Sequence, residues 1–240
     1  MLLELASGNT GFADESTKDE LVYARIFTAI VEHRLLPGVK LPEDALAESF
    51  GVSRTVIRKA LHRLAIERLV TIQPKRGAAV SKPTVQEARN VFAARRLIEV
   101  GSLDLVVEKI RDGDIAALRA IAKQEHQAHQ RHDARLAINL SGQFHVRILA
   151  IAGNDDLNDF LVRLVSRSSL ILAVYGSSWD ATCDNGCHDE LIELLAQRDL
   201  EGVKALMLRH LIEVESGLNM ALEEDGEPDF KKIFSEMGGR

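Results

Sequence analysis

The residues best suited to chemistry in this 240-residue chain are its eight histidines, its two cysteines and a short run of arginines. Cys183, Cys187 and His188 stand together in "CDNGCHDE", a grouping that thiolate–imidazole metal sites use. In helical register His188 lines up with Leu191, Ile192 and Leu195. His145 lines up with Ile138, Ile148 and Ala152, and His210 with Val203, Leu206, Met207 and Val214. Each therefore falls on the core-facing side of a different predicted helix. Such a histidine is either a hydrogen-bonded core residue or one ligand of a shared site. Three neutral imidazoles suit Zn²⁺ or Ni²⁺ and leave positions open for water or a carboxylate. Cys187 sits one helical step, about 100°, round from His188, and Cys183 lies in the preceding loop. Neither thiolate ligation nor a disulfide is expected of them in a reducing cytoplasm. His126, His129 and His132 run along the densely polar "QEHQAHQRH" and are expected on a solvated face. His33 is expected at the surface near the end of the first helix.

A second group carries positive charge. Arg54, Arg58 and His62 recur at four-residue steps, with Thr55 and Lys59 beside them. They share the outer face of a predicted helix whose inner face is Val56, Ile57, Ala60, Leu61 and Leu64 and whose cap is Ser53. Arg54 and Arg58 have the donors to pair with a guanine edge, and Thr55 suits a phosphate or a thymine methyl. Two short β-like runs follow, "LVTIQ" and "AAVSK", joined by "PKRG", which puts Lys75 and Arg76 at a hairpin tip within reach of backbone phosphate.

"KDELVYARIFTAIVEHRLL" places Val22, Ile26, Ala29 and Ile30 on one helical face, and Pro37-Gly38 ends it. "EDALAESF" is a short amphipathic helix with Pro42 at its first position, closed by Gly51. Three helices and a two-stranded wing make a winged helix-turn-helix. Beyond Pro83 the pattern is helical throughout, opened by a Thr84–Glu87 capping box. Helices are expected near 84–110, 113–132, 134–152, 155–175, 187–198 and 200–223. The fold class is mainly α: a winged helix-turn-helix over 17–82 and an all-α bundle of about six helices over 83–223, flanked by mobile tails at 1–16 and 224–240.

Charge agrees with this division. The net charge is −6, yet residues 18–80 carry 11 Lys and Arg against 7 Asp and Glu. A basic N-terminal third on an acidic body is the layout of a nucleic-acid reader. No apolar run approaches the ~18 residues of a membrane span, and no secretory signal is expected at the N-terminus. A cytoplasmic protein without a disulfide framework is expected.

"LPGVKLPEDALAESFGVSRTVIRKALHRLAIERLVTIQPKRGAAV" resembles the DNA-binding domain of the GntR family of bacterial transcription regulators. The resemblance implies operator contacts from Ser53, Arg54, Thr55, Arg58 and the wing's Arg76-Gly77. Ala78-Ala79 stand where relatives often carry an aromatic residue. "ARRLIE", ending at Glu99, "FHVRILAIAGN", "CHDELIELL" and "ALMLRHL" resemble the FCD domain of the fatty-acid-regulator branch. That resemblance implies a divalent metal on His145, His188 and His210, for which the imidazoles suit Zn or Ni, with a fourth, Asp, ligand at the position held here by Ser141. It also implies a small carboxylate effector near Ser141 and met by Arg95 or Arg96, although an internal Arg95–Glu99 pair fits the same spacing. The expected partners are a pseudo-palindromic double-stranded operator, that effector and a second copy of the chain, with no membrane. The expected role is a regulator, a repressor in most of the family, and not an enzyme. A direct metal sensor and a metal-dependent hydrolase carrying a DNA-binding head are the alternatives.

Overall fold

The computed structural model describes residues 18–176 and 186–223; the expected tails and Cys183 lie outside the described residues. Helix α1 (Lys18–Val31) buries Val22, Tyr23, Ile26, Phe27 and Ile30, a stripe at three- and four-residue spacing. Helix α2 (Glu43–Phe50) follows Pro42, which stands at its N-cap, one position earlier than expected. Gly51 ends it at φ 63°, a left-handed turn natural to glycine. Helix α3 (Arg54–Ile66) starts as expected: the Ser53 hydroxyl accepts the Val56 N–H at 3.4 Å. Its buried side is Ile57, Ala60, Leu61 and Leu64. Strands β1 (Val70–Gln73) and β2 (Gly77–Val80) pair antiparallel, with Val70 opposite Val80 and Gln73 opposite Gly77. Lys40 bridges to Ala79, so the segment before α2 lines the wing.

The body comprises α4 (Val85–Gly101), α5 (Leu103–Lys109), α6 (Asp112–Gln130), α7 (Ala134–Ala150), α8 (Asp155–Tyr175), α9 (Cys187–Gln197) and α10 (Leu200–Ser216). The Thr84–Glu87 capping box is present at the start of α4. The single helix expected over 84–110 is instead two. It breaks at Ser102, whose hydroxyl bonds back to the Ile98 carbonyl at 2.6 Å. Glycine followed by serine is a poor helix interior, and the hydroxyl competes for the backbone. The described bundle thus has seven helices rather than about six. The last ends at Ser216, and among the described residues a 3₁₀ turn, Met220–Glu223, follows it.

Helix α8 is the element that joins the halves, packing on α1, α4 and α7. Buried apolar residues of head and body form one connected cluster, running from Val22 through Leu64 to Phe144 and Leu211. Tyr175, at the end of α8, donates its hydroxyl to the Pro83 carbonyl at 2.8 Å and pins the inter-domain segment. His33, expected at the surface, is buried at this junction, where its Nε2–H donates to the Ser169 carbonyl at 2.8 Å.

Candidate functional site

Helix α3 presents Arg54, Thr55, Arg58, Lys59 and His62 to solvent, and the wing tip presents Lys75, Arg76 and Gly77. Lys75 and Gly77 take φ of 64° and 80°, which closes the two-strand turn tightly and carries both cations outward. The sequence did not foretell the anchoring of Arg54 and Arg58. Arg58 Nη2 lies 2.8 Å and Arg54 Nη2 3.4 Å from Glu43 Oε2, and Arg54 Nη1 lies 3.0 Å from Asp44. The hydrogen bond from Arg58 is the largest influence holding the Glu43 carboxyl below its usual range. The first turn of α2 therefore orients two guanidiniums on the outer face of α3.

Inside the body, three helices bring His145 (α7), His188 (α9) and His210 (α10) together. One nitrogen of each ring lies within 4.8 Å of the other two, and all three residues are buried. His145 Nε2 is 3.0 Å from His210 Nε2. That is about the separation two imidazoles adopt on one ion when each ligand bond is about 2.0–2.1 Å. Phe144 stacks on the His188 ring, centroid to centroid 4.1 Å, and covers one of its faces.

Two carboxylates fix the tautomers. His145 Nδ1–H donates to Glu99 Oε2 at 2.5 Å, and His188 Nδ1–H donates to Glu125 Oε2 at 2.6 Å. A carboxylate only accepts, so each Nε2 keeps its lone pair turned into the cluster; that of His145 accepts from His210 Nε2–H. The His188 Nε2 lone pair is buried without a partner. Carboxylate–imidazole pairs of this kind stand behind metal-ligating histidines. Burial, the dominant influence, pushes His145 and His210 down to about 4, so both are neutral near pH 7. Burial alone would raise the Glu99 carboxyl, but the charges of Arg95 and His145 and their hydrogen bonds more than offset it and hold it at about 2. The donor set and the orphaned lone pair fit a borderline-soft divalent ion.

Arg95 is buried at the edge of the cluster. Its Nε donates to Glu99 Oε1 at 2.7 Å and its Nη1 to Ser168 Oγ at 3.4 Å. The internal pair weighed from the sequence is thus formed, yet Nη2 remains a buried donor with no partner. Arg96 turns elsewhere and is ion-paired with Glu215 on α10. Ser141 is half-buried, one turn before His145 on α7.

His129 is buried rather than solvated, although His126 and His132 are exposed as expected. Glu125, from the same polar run, is buried behind His188 and was missed. Ile115, Leu118, Ala122, Glu125 and His129 form one stripe of buried residues on α6, so the period of the apolar side continues through two polar residues. Cys187 does not point away from the cluster. It is buried, and a hydrogen bond between its side chain and His210 tends to raise that imidazole against the lowering effect of burial.

A capped basic helix and wing on an all-α body define a winged-helix DNA-binding regulator. Residues 18–80 match the bacterial regulatory proteins of the gntR family, and residues 90–213 match the FCD domain. The chain belongs to the GntR family of transcription regulators, with an FCD domain as its helical body, and members are regulators rather than enzymes. It is 29% identical over 136 residues, 57% of each chain, to a Streptomyces ambofaciens HTH-type transcriptional regulator in an unstable DNA locus. It is 24% identical over 212 residues, 87% of this chain and 92% of the other, to the HTH-type transcriptional repressor RspR of Escherichia coli. The solved structure of E. coli McbR/YncC superposes with a TM-score of 0.74 at 21% identity, covering 84% of this chain and 98% of that one, and so shares its fold. Among the described residues no helix is long and apolar enough to cross a membrane.

Proposed function

We propose that this regulator is a cytoplasmic homodimeric repressor whose operator binding is controlled by a small organic acid held with a divalent metal in the helical body. His145, His188 and His210 are the metal ligands, with Zn²⁺ or Ni²⁺ the suited ions. A bound ion would supply a Lewis-acidic anchor for a ligand carboxylate. Arg95 is the second anchor, through Nη2. In the head, Ser53 caps α3, Arg54, Thr55 and Arg58 meet base edges and phosphates, and Lys75, Arg76 and Gly77 follow the backbone at the wing. The reading is carried by the two carboxylate-locked imidazoles, which leave lone pairs converging on one buried point with His188 Nε2 unpartnered. An organic anion, rather than metal alone, is favoured by the spare Arg95 Nη2 donor, which a metal sensor would not need.

The deciding experiment is native mass spectrometry with elemental analysis of the purified protein and of His145→Ala, His188→Ala and His210→Ala. Dimer mass, about one metal per chain, and loss of most metal in each variant are expected. Second replacements should add little, because coupled ligands are not additive. Ser141→Asp should tighten metal and alter the preference among acidic ligands. Full metal retention in all three alanine variants would make these ordinary core histidines.

A further inference from the structure

The end of α1 holds a residue that neither the operator face nor the histidine cluster uses. His33 takes φ 54°, a left-handed conformation that few residues other than glycine adopt, asparagine, aspartate and histidine being the more frequent of them. Its imidazole is buried between head and body, and Nε2 donates to the Ser169 carbonyl on α8, 136 residues away in sequence. The turn itself is closed by backbone bonds from His33 N–H to Ile30 and from Arg34 and Leu35 N–H to Ala29. Glycine would suit that turn better, so what histidine adds there is the side-chain bond across the junction.

The receiving segment of α8 is unusual. Ser166, Ser168 and Ser169 bond back to the carbonyls of Val162, Leu164 and Ser166. Hydroxyls that compete for helix carbonyls soften and bend a helix locally. The same short segment touches both the buried network of the body and the turn that follows α1 in the head. Ser168 Oγ accepts from Arg95, which pairs with Glu99 and through it with His145. The neighbouring Ser169 carbonyl accepts from His33. On the head side, Glu32 and Arg34 flank His33 and line a groove of about 390 Å³ with Asp133, Arg135, Leu136 and Asn139 at the start of α7.

We infer that His33 is the positioning residue that couples the helical body to the DNA-reading head. It clamps the end of α1 to the serine-rich segment of α8, which meets Arg95 through the neighbouring Ser168. An anion that drew the Arg95 guanidinium toward the cluster would withdraw its bond from Ser168. The shift at Ser169 would then move the end of α1, against which α3 packs. This rests on the reading that occupancy of the body is signalled to the head.

The test uses the full chain with His33→Gly, which relaxes the backbone and removes the imidazole. His33→Gln keeps an N–H donor near the position of Nε2. Amide exchange across 164–174 is measured with and without a saturating operator duplex, with α9 as the internal control. In the unaltered protein operator binding should slow exchange in this segment about fivefold or more, in the range of ordinary allosteric coupling. His33→Gly should bind operator within about twofold of the unaltered protein but lose that response, and His33→Gln should restore it. A response that survives in His33→Gly, or is absent from the unaltered protein, overturns the inference. So does faster exchange in His33→Gly spread equally over α9, which would make His33 a plain fold contact. A second arm adds Zn²⁺ and acetate to metal-free protein and follows exchange in α3 and the wing, which should change in the unaltered protein. His33→Gly should take up the same metal without the head responding. If the unaltered protein binds no zinc, the metal reading fails while the operator arm still decides the coupling.

Discussion

Glu99→Gln is the sharpest perturbation of the buried network, because it removes a charge without changing shape. The Glu99 carboxylate accepts from two donors, Arg95 Nε at Oε1 and His145 Nδ1 at Oε2. Glutamine has one acceptor oxygen and turns an NH₂ toward whichever donor it does not serve. If the oxygen serves Arg95, the amide faces His145 Nδ1. The imidazole must then move its proton to Nε2, and it loses the lone pair a metal needs. If the oxygen serves His145, the Arg95 guanidinium is left facing a donor in a site where its side chain is only 6% and that of Glu99 only 3% exposed. Removing one partner of a buried ion pair costs about 3–5 kcal/mol. The remaining amide acceptor places Glu99→Gln at the lower end, about 3 kcal/mol. With a urea slope of about 2–3 kcal/mol/M, the midpoint of metal-free protein should fall by about 1 M. Zinc affinity should fall about 10–100-fold, the usual cost of losing a carboxylate behind a ligating histidine. Arg95→Met with Glu99→Leu should recover the midpoint, since well-packed apolar residues can replace a buried pair, but not the zinc affinity. A Glu99→Gln midpoint unchanged within error, with unchanged zinc affinity, would refute the account of this network.

Three further outcomes are expected. Arg54→Ala and Arg58→Ala should each weaken operator binding by about 1–3 kcal/mol and relax base preference, whereas Lys75→Ala should weaken all sequences alike and lower the salt slope by about one; binding measured on operator and scrambled DNA at several salt concentrations distinguishes them. Metal-free protein should lose stability on acidification, because burial lowers His33, and lowers His145 and His210 to about 4, from an ordinary value of 6.5. Between about pH 6.5 and 4 the unfolded chain binds more protons than the folded one, so the stability present at neutral pH drains away as pH falls, and urea midpoints that rise toward pH 5 would contradict this. Cys183→Ser with Cys187→Ser should keep its metal content by elemental analysis, since three imidazoles suffice for the site and a serine hydroxyl preserves a polar partner for His210; loss of metal would make Cys187 a thiolate ligand.

Local chemistry wrote much of this protein into its sequence. The Ser53 cap, the period of Ile57, Ala60, Leu61 and Leu64, and the cations at the wing turn each depend on neighbours within a few residues, so the head was legible without coordinates. The inward aim of His145, His188 and His210 followed for the same reason, because side-chain direction on a helix is set by its 3.6-residue period. Which groups meet across helices was not legible. Glu125 sits in a polar run whose composition reads as solvated, and only the packing of α6 on α9 places it behind His188. His33 lies beyond the end of α1, where no period applies, and its burial follows from α8 crossing the junction. The break at Ser102 and the Glu43 anchor of Arg54 and Arg58 likewise came only with the structure. Pairing of polar groups between distant segments is settled by burial, which makes an unpartnered donor or acceptor costly and so selects its partner once the helices have packed.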